Sequence, residues 1–151
     1  MAEFRQLGGI VHLMNQSSYQ AVPGNGYTIL LVDDNAIQAA TRQAILRRAG
    51  YFVIAALNPV RALEQFKEQA FPSQVSAIMT DHIMPGMTGS EFVRELRKTG
   101  TDLPVIVISG LEEAEEEYAG MNVRFLLKPV PPEVLLANMR DLLEPAQEGA
   151  A

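Results

Sequence analysis

Thr28-Ile29-Leu30-Leu31-Val32-Asp33-Asp34-Asn35 is the stretch that decides how this chain is read. Five β-branched or aliphatic residues in a near-continuous apolar run describe a strand buried on both faces, as in a parallel sheet covered by helices. The run ends at two aspartates. Asn35 is placed to cap a following helix, whose apolar positions include Ile37, Ala40, Ala44, Ile45 and Leu46, and Gly50 closes it.

The same strand-then-helix unit recurs along the chain. Residues 51–56 read as a second strand, and Asn58-Pro59 opens a helix carrying Val60, Leu63 and Phe66. Val75 to Thr80 is a third strand ending at Asp81, followed by the loop Met84 to Gly89 and a helix from Ser90 to Lys98 with Phe92, Val93 and Leu96 as its stripe. Pro104 to Ser109 is a fourth strand, Glu112 to Tyr118 a short acidic helix, and Val123 to Leu127 a fifth strand, stopped by Lys128-Pro129. After Pro131-Pro132 a last helix turns Leu135, Leu136, Met139 and Leu142 inward. Five strands alternating with five helices predict an α/β fold: a doubly wound, five-stranded parallel sheet in a three-layer sandwich. In such sheets function gathers beyond the carboxyl ends of the strands. Asp33, Asp34, Asp81, Ser109 and Lys128 all fall there.

The bulk properties agree. The 151 residues are 48% apolar, enough for one domain with a hydrophobic core. A net charge of -6 disfavours unassisted binding to nucleic acid or an anionic membrane. The chain has no cysteine, so neither a disulfide nor a thiolate enters the chemistry. No apolar run reaches the roughly 18 residues of a membrane span. Residues 1–26, with their Asn/Gln/Ser and Pro/Gly clusters, are expected to be a leader or linker remnant, residues 27–145 the domain, and residues 146–151 a tail. The expected compartment is the cytoplasm.

The strand-end residues point to a chemistry. Carboxylates held close together raise one another's pKa values, and a hard divalent cation such as Mg²⁺ relieves that repulsion. A lysine and a hydroxyl beside them suit a phosphoryl group whose oxygens are held by metal, ammonium and hydroxyl. One carboxylate can itself be the nucleophile and form an aspartyl phosphate. Spacing alone leaves that nucleophile open among Asp33, Asp34 and Asp81. Taken singly, the aspartate pair also reads as a capping loop, Ser109 as a turn residue and Lys128 as a solvated charge. Their joint placement at strand ends is what sets them apart.

Four segments carry a resemblance. They are Ile29 to Asn35, Met79-Thr-Asp-His-Ile-Met-Pro-Gly-Met-Thr-Gly89, Val105-Ile-Val-Ile-Ser-Gly110 and Phe125-Leu-Leu-Lys-Pro129. In this order and at these intervals they resemble the receiver domain of bacterial response regulators and hybrid sensor kinases, over about Tyr27 to Leu143. The resemblance implies the flavodoxin-like, CheY-like fold with strand order 2-1-3-4-5. It further implies a phosphorylatable domain of two-component signal transduction that accepts a phosphoryl group from phosphohistidine onto Asp81, with Mg²⁺. By position, Asp33, Asp34 and Asp81 match the metal carboxylates and Ile83 the backbone-carbonyl ligand. Ser109 and Lys128 match the hydroxyl and lysine that hold the phosphoryl oxygens, with Pro129 at the family's cis-proline junction. Ser109 and Phe125 match the switch pair. Ile83 and Leu111 match the positions that tune hydrolysis, and both are aliphatic here.

The implied partner is a histidine kinase or a histidine phosphotransfer domain. No direct contact with nucleic acid or membrane is expected, and a homodimer is left open. Such a domain catalyses its own phosphorylation and dephosphorylation without an independent metabolic activity. Two other readings compete: a small aspartyl-phosphate phosphatase or phosphotransferase, and an interaction module that is not phosphorylated. Only 18 residues separate Ser109 from Lys128, and the shortened helix between them resembles receivers at the C-terminus of hybrid kinases. Elsewhere the simpler readings hold: His82 as an exposed loop residue, His12 without a role, Glu112 to Glu117 as a solvated helix face, and Met84 and Met87 as packing residues.

Overall fold

The structure is a computed structural model that describes residues 24–144. The expected tail, residues 146–151, and the expected leader up to residue 23, with His12, lie outside the described residues.

The strands are β1 (Thr28–Val32), β2 (Phe52–Ala56), β3 (Ala77–Asp81), β4 (Val105–Ser109) and β5 (Arg124–Leu127). All pair in parallel, in the order β2-β1-β3-β4-β5 that the receiver resemblance implies. The three central strands are buried at every position, whereas β2 and β5, at the edges, are only partly covered. Helices α1 (Ala36–Arg48), α2 (Pro59–Lys67), α3 (Gly89–Lys98) and α4 (Pro132–Leu143) cover the two faces. Alternate residues of each strand point to opposite sides. Ile29 and Leu31 therefore pack with Ala39 and Leu46 of α1 and Leu135 and Met139 of α4. Leu30 and Val32 pack with Leu63 of α2 and Phe92, Val93 and Leu96 of α3.

Local chemistry sets the helix starts. Asn35 accepts from the backbone N–H groups of Ile37 and Gln38, and Asn58 accepts from those of Val60 and Arg61 with Pro59 at the first turn. Thr88 and Glu91 form a reciprocal capping box at α3, worth about 1 kcal/mol. Gly50 ends α1 at a φ of 100°, a conformation only glycine adopts without strain.

One expectation about the helices needs correction. In α1 the buried residues are Ala39 and Leu46, while Ile37 is 80% exposed and Ala40 and Ala44 face solvent. The apolar letters of this helix do not mark its core face, because the turn nearest the strand ends presents Gln38 and Arg42 inward instead. Glu112–Tyr118 is a short acidic helix over the residues expected, wound as a 3₁₀ helix. Its five glutamates are exposed, as a solvated face requires, while Ala114 and Tyr118 on the other side are buried.

The start of α3 lies hard against the end of β3. A Cβ on Gly89 would sit 2.5 Å from the Asp81 carbonyl oxygen, 2.5 Å from the Tyr118 hydroxyl and 3.0 Å from His82 Cα. Gly89→Ala is therefore expected to lower stability by roughly 2–3 kcal/mol, the range for overpacking against an unyielding backbone. Gly110→Ala meets nothing within 4 Å and should leave stability within about 0.5 kcal/mol of the parent. Urea unfolding midpoints of the two variants check both.

Candidate functional site

The sheet register builds the site. Val32 of β1 is paired with Thr80 of β3, so Asp33 and Asp81 follow side by side at the carboxyl ends of adjacent strands. Both are buried: Asp33 is 0% and Asp81 4% exposed. The ladder continues one residue beyond β5, where the Lys128 N–H donates to the Ser109 carbonyl at 2.8 Å. This aims the lysine at the same edge. Its ammonium lies 3.1 Å from Asp81 Oδ1 and donates to Asp81 Oδ2 at 3.3 Å and to Gln38 Oε1 at 3.1 Å. The Lys128–Pro129 peptide is cis.

Asp81 Oδ1 is buried and has no hydrogen-bond partner of proper geometry, even with the ammonium close by. Such an oxygen is suited to a metal ion or to an incoming electrophile. Asp33 differs. Its Oδ1 accepts the Asn35 N–H at 2.9 Å and its Oδ2 accepts from Arg42 at 2.8 Å. Burial raises the Asp33 pKa above the ordinary carboxylate value; the Asp81 charge adds to the rise, while the Asn35 N–H, Arg42 and Lys128 oppose it.

Asp34 is exposed beside this pair. Among the described residues no three acidic or imidazole side chains converge closely enough to hold a metal by themselves. A cation here would rest on Asp33 and Asp81, with remaining positions for a backbone carbonyl and water, which suits Mg²⁺. The donor chemistry and the orphaned Asp81 oxygen fit that ion.

The other predicted residues stand further out. Ser109 is buried, but its hydroxyl is turned to its own loop, where it accepts the Leu111 N–H at 3.0 Å. Ile83 and Leu111 are 60% and 42% exposed. Phe125 is half-buried and tilts against Tyr118 with ring centroids 5.9 Å apart. Met84 is buried and Met87 packs beside it, as expected of packing residues.

His82 is the clear misreading. It is not an exposed loop residue but is buried beneath Tyr118, whose hydroxyl lies 2.6 Å from Nδ1. Burial, together with the nearby Glu117 and Asp81 charges, drives the Tyr118 pKa far upward and keeps the phenol protonated. A phenol donating to Nδ1 leaves the imidazole proton on Nε2, 3.7 Å from Glu117 Oε2, and Glu117 Oε1 in turn accepts from Ser90 at 2.8 Å. Sequence reasoning missed Tyr118, Glu117, Gln38 and Arg42. Only the last two left a signal, being four residues apart on the helix that follows the aspartate pair. Two clefts of about 560 Å³, one beside Phe66, Phe71 and Leu103 and one beside Arg47, Tyr51 and Phe52, do not include Asp81.

Comparisons with known proteins place this geometry. Residues 29–140 match the response regulator receiver domain family. The response regulator MprA of Mycobacterium ulcerans is 36% identical over 118 residues, covering 76% of this chain and 49% of that protein. The chain thus spans about half the length of the curated relatives it matches. Among solved structures, the Vibrio cholerae chemotaxis protein CheY4 is 28% identical with a TM-score of 0.69, covering 78% of this chain and 98% of that one. The response regulator TrrA of Thermotoga maritima, solved in complex with Mg²⁺ and BeF, shares the fold with a TM-score of 0.69 at 24% identity, covering 78% and 99% of the two chains. With its strand order, its buried strand-end carboxylates and this family match, the chain belongs to the response regulator receiver domains of two-component signalling.

Proposed function

We propose that this receiver domain takes a phosphoryl group from a phosphohistidine onto Asp81, in a reaction that requires Mg²⁺. The observation that carries the reading is the buried Asp81 carboxylate, with one oxygen free of hydrogen bonds and the Lys128 ammonium 3.1 Å away. In the transfer, an Asp81 oxygen forms a bond to phosphorus as the bond from phosphorus to the donor imidazole breaks and the imidazole leaves with the electron pair. Asp81, the Ile83 carbonyl and the Asp33–Asp34 pair, one of the two directly and the other through water, would hold Mg²⁺, which when bound supplies positive charge for the phosphoryl oxygens. Lys128, already on the Asp81 carboxylate, pairs with the transferred group. Ser109 gives up the Leu111 N–H to reach a phosphoryl oxygen, and Phe125 follows into the space it leaves. That exchange between two packings is the signal a partner reads.

The partner in this reading is a histidine kinase or a histidine phosphotransfer domain in the cytoplasm. Among the described residues no helix is long and apolar enough to cross a membrane. The short 3₁₀ segment between β4 and β5 supports a parent of the hybrid-kinase kind, and the matched relatives are themselves named response regulators. A metabolite phosphatase is less well supported, because neither of the two large clefts includes Asp81. A module that is not phosphorylated would need no intact acidic pair and lysine.

Mass spectrometry of the intact chain after incubation with a small phosphodonor should show one added phosphate in the parent with Mg²⁺. None should appear without the metal or in Asp81→Asn. Labelling of Asp81→Asn to the parent level would remove the assignment.

The lifetime of the phosphoryl group gives a second expectation. Hydrolysis needs a water aligned with phosphorus, and the exposed aliphatic side chains of Ile83 and Leu111 offer it no hydrogen bond. Self-hydrolysis is therefore expected to be slow. Ile83→Asn or Leu111→Glu should speed decay of the purified phosphoprotein by about tenfold, the effect of one hydrogen bond of about 1.4 kcal/mol in the transition state. Decay within seconds in the parent, or no acceleration in either variant, would contradict it.

A further inference from the structure

Arg42 is not used by the reaction above, yet it reaches into the pocket. From the second turn of α1 its Nη1 donates to Asp33 Oδ2 at 2.8 Å, and its Nη2 lies 3.3 Å from Gln38 Oε1. The arginine side chain is only 12% exposed and that of Asp33 is fully buried, so the pair is shielded from screening by solvent. Oδ1 accepts the Asn35 N–H and Oδ2 the guanidinium, so each Asp33 oxygen keeps a second acceptor site, but a positive charge already stands against the carboxylate where a cation would be drawn.

We propose that Arg42 is an internal competitor of divalent-cation binding: its guanidinium holds the counter-ion's place on Asp33 and must yield or share that oxygen when Mg²⁺ enters. The inference rests on the Mg²⁺-dependent reading of the pocket and adds to it a residue that sets how tightly the metal is held. Two charges of the same sign on one buried carboxylate repel strongly in a low-dielectric pocket. By linkage, whatever the guanidinium contributes to the metal-free state is subtracted from the affinity for the metal. Arg42 thereby joins stability and affinity with opposite signs. A residue with a purely structural role would change stability alone. A residue that orients Asp33 for the metal would strengthen binding, and its loss would weaken it.

Isothermal titration of the full chain with MgCl₂ separates these cases, using the parent, Arg42→Met and Arg42→Lys. Arg42→Met, which keeps the length and removes the charge, is expected to bind Mg²⁺ about tenfold more tightly, matching the loss of one charge-assisted hydrogen bond that competes with the metal. Its metal-free form should melt at a lower temperature than the parent, and its gain in melting temperature on adding Mg²⁺ should be larger. Arg42→Lys, which keeps the charge without the planar fork, should show a smaller gain in affinity. If the parent binds Mg²⁺ and Arg42→Met binds it equally or more weakly, the inference is overturned while the phosphoacceptor reading stands. If neither binds, the metal requirement fails and this inference fails with it. Should Arg42→Met not fold, Arg42→Lys decides: tighter binding than the parent supports the competition, and equal or weaker binding overturns it.

Discussion

Two carboxylates buried side by side are the constraint around which this domain is arranged. Parallel pairing of Val32 with Thr80 delivers Asp33 and Asp81 to neighbouring positions at the edge of the sheet, and both are almost inaccessible to water. Isolated charges in such a place are too costly to keep, so cations must come from elsewhere in the chain. Lys128 arrives from the end of β5 and Arg42 from the flank of α1. The electrostatic demand of one sheet edge thus ties together elements that lie far apart in sequence.

The opposite side of β3 shows a second kind of anchoring. Directly after Asp81, His82 is clasped by Tyr118, and the first residue of α3 approaches so closely that it must be glycine. The Asp81 carboxylate therefore stands on a backbone gripped by α3 and the 3₁₀ helix, while its side chain is held by Lys128. The ring of Tyr118 also packs against Phe125, so the support beneath Asp81 and the aromatic of β5 share one packing layer. A carboxylate placed this firmly needs little reorganisation before reaction.

Much of this was legible because it is local. Unbroken aliphatic runs marked the central strands, and Asn35 and Asn58 marked helix starts through hydrogen bonds that span only two or three residues. The strand-end positions of Asp33, Asp81 and Lys128 followed from those runs, and the four receiver-like segments supplied the strand order. What escaped depends on distant partners. His82 looked exposed because nothing near it in sequence reveals that Tyr118, 36 residues on, closes over it. Helix α1 misled for a different reason: its apolar residues Ile37, Ala40 and Ala44 lie outward, while polar Gln38 and charged Arg42 face the pocket. A hydrophobic pattern cannot report a face recruited for charge compensation. The acidic helix Glu112–Tyr118 was legible with its boundaries, because it too is a local feature.

Gln38 joins the two charge pairs. Its side-chain oxygen is shared by both pocket cations, accepting from Lys128 at 3.1 Å and from Arg42 at 3.3 Å. An amide oxygen has two lone pairs, so these two donors saturate it. A shift of either cation away from Gln38 leaves one of those sites open and changes the field felt by the other. Two residues that never touch each other, Lys128 on Asp81 and Arg42 on Asp33, are thus coupled through a single neutral atom, so the charges on the two carboxylates are balanced jointly rather than one by one.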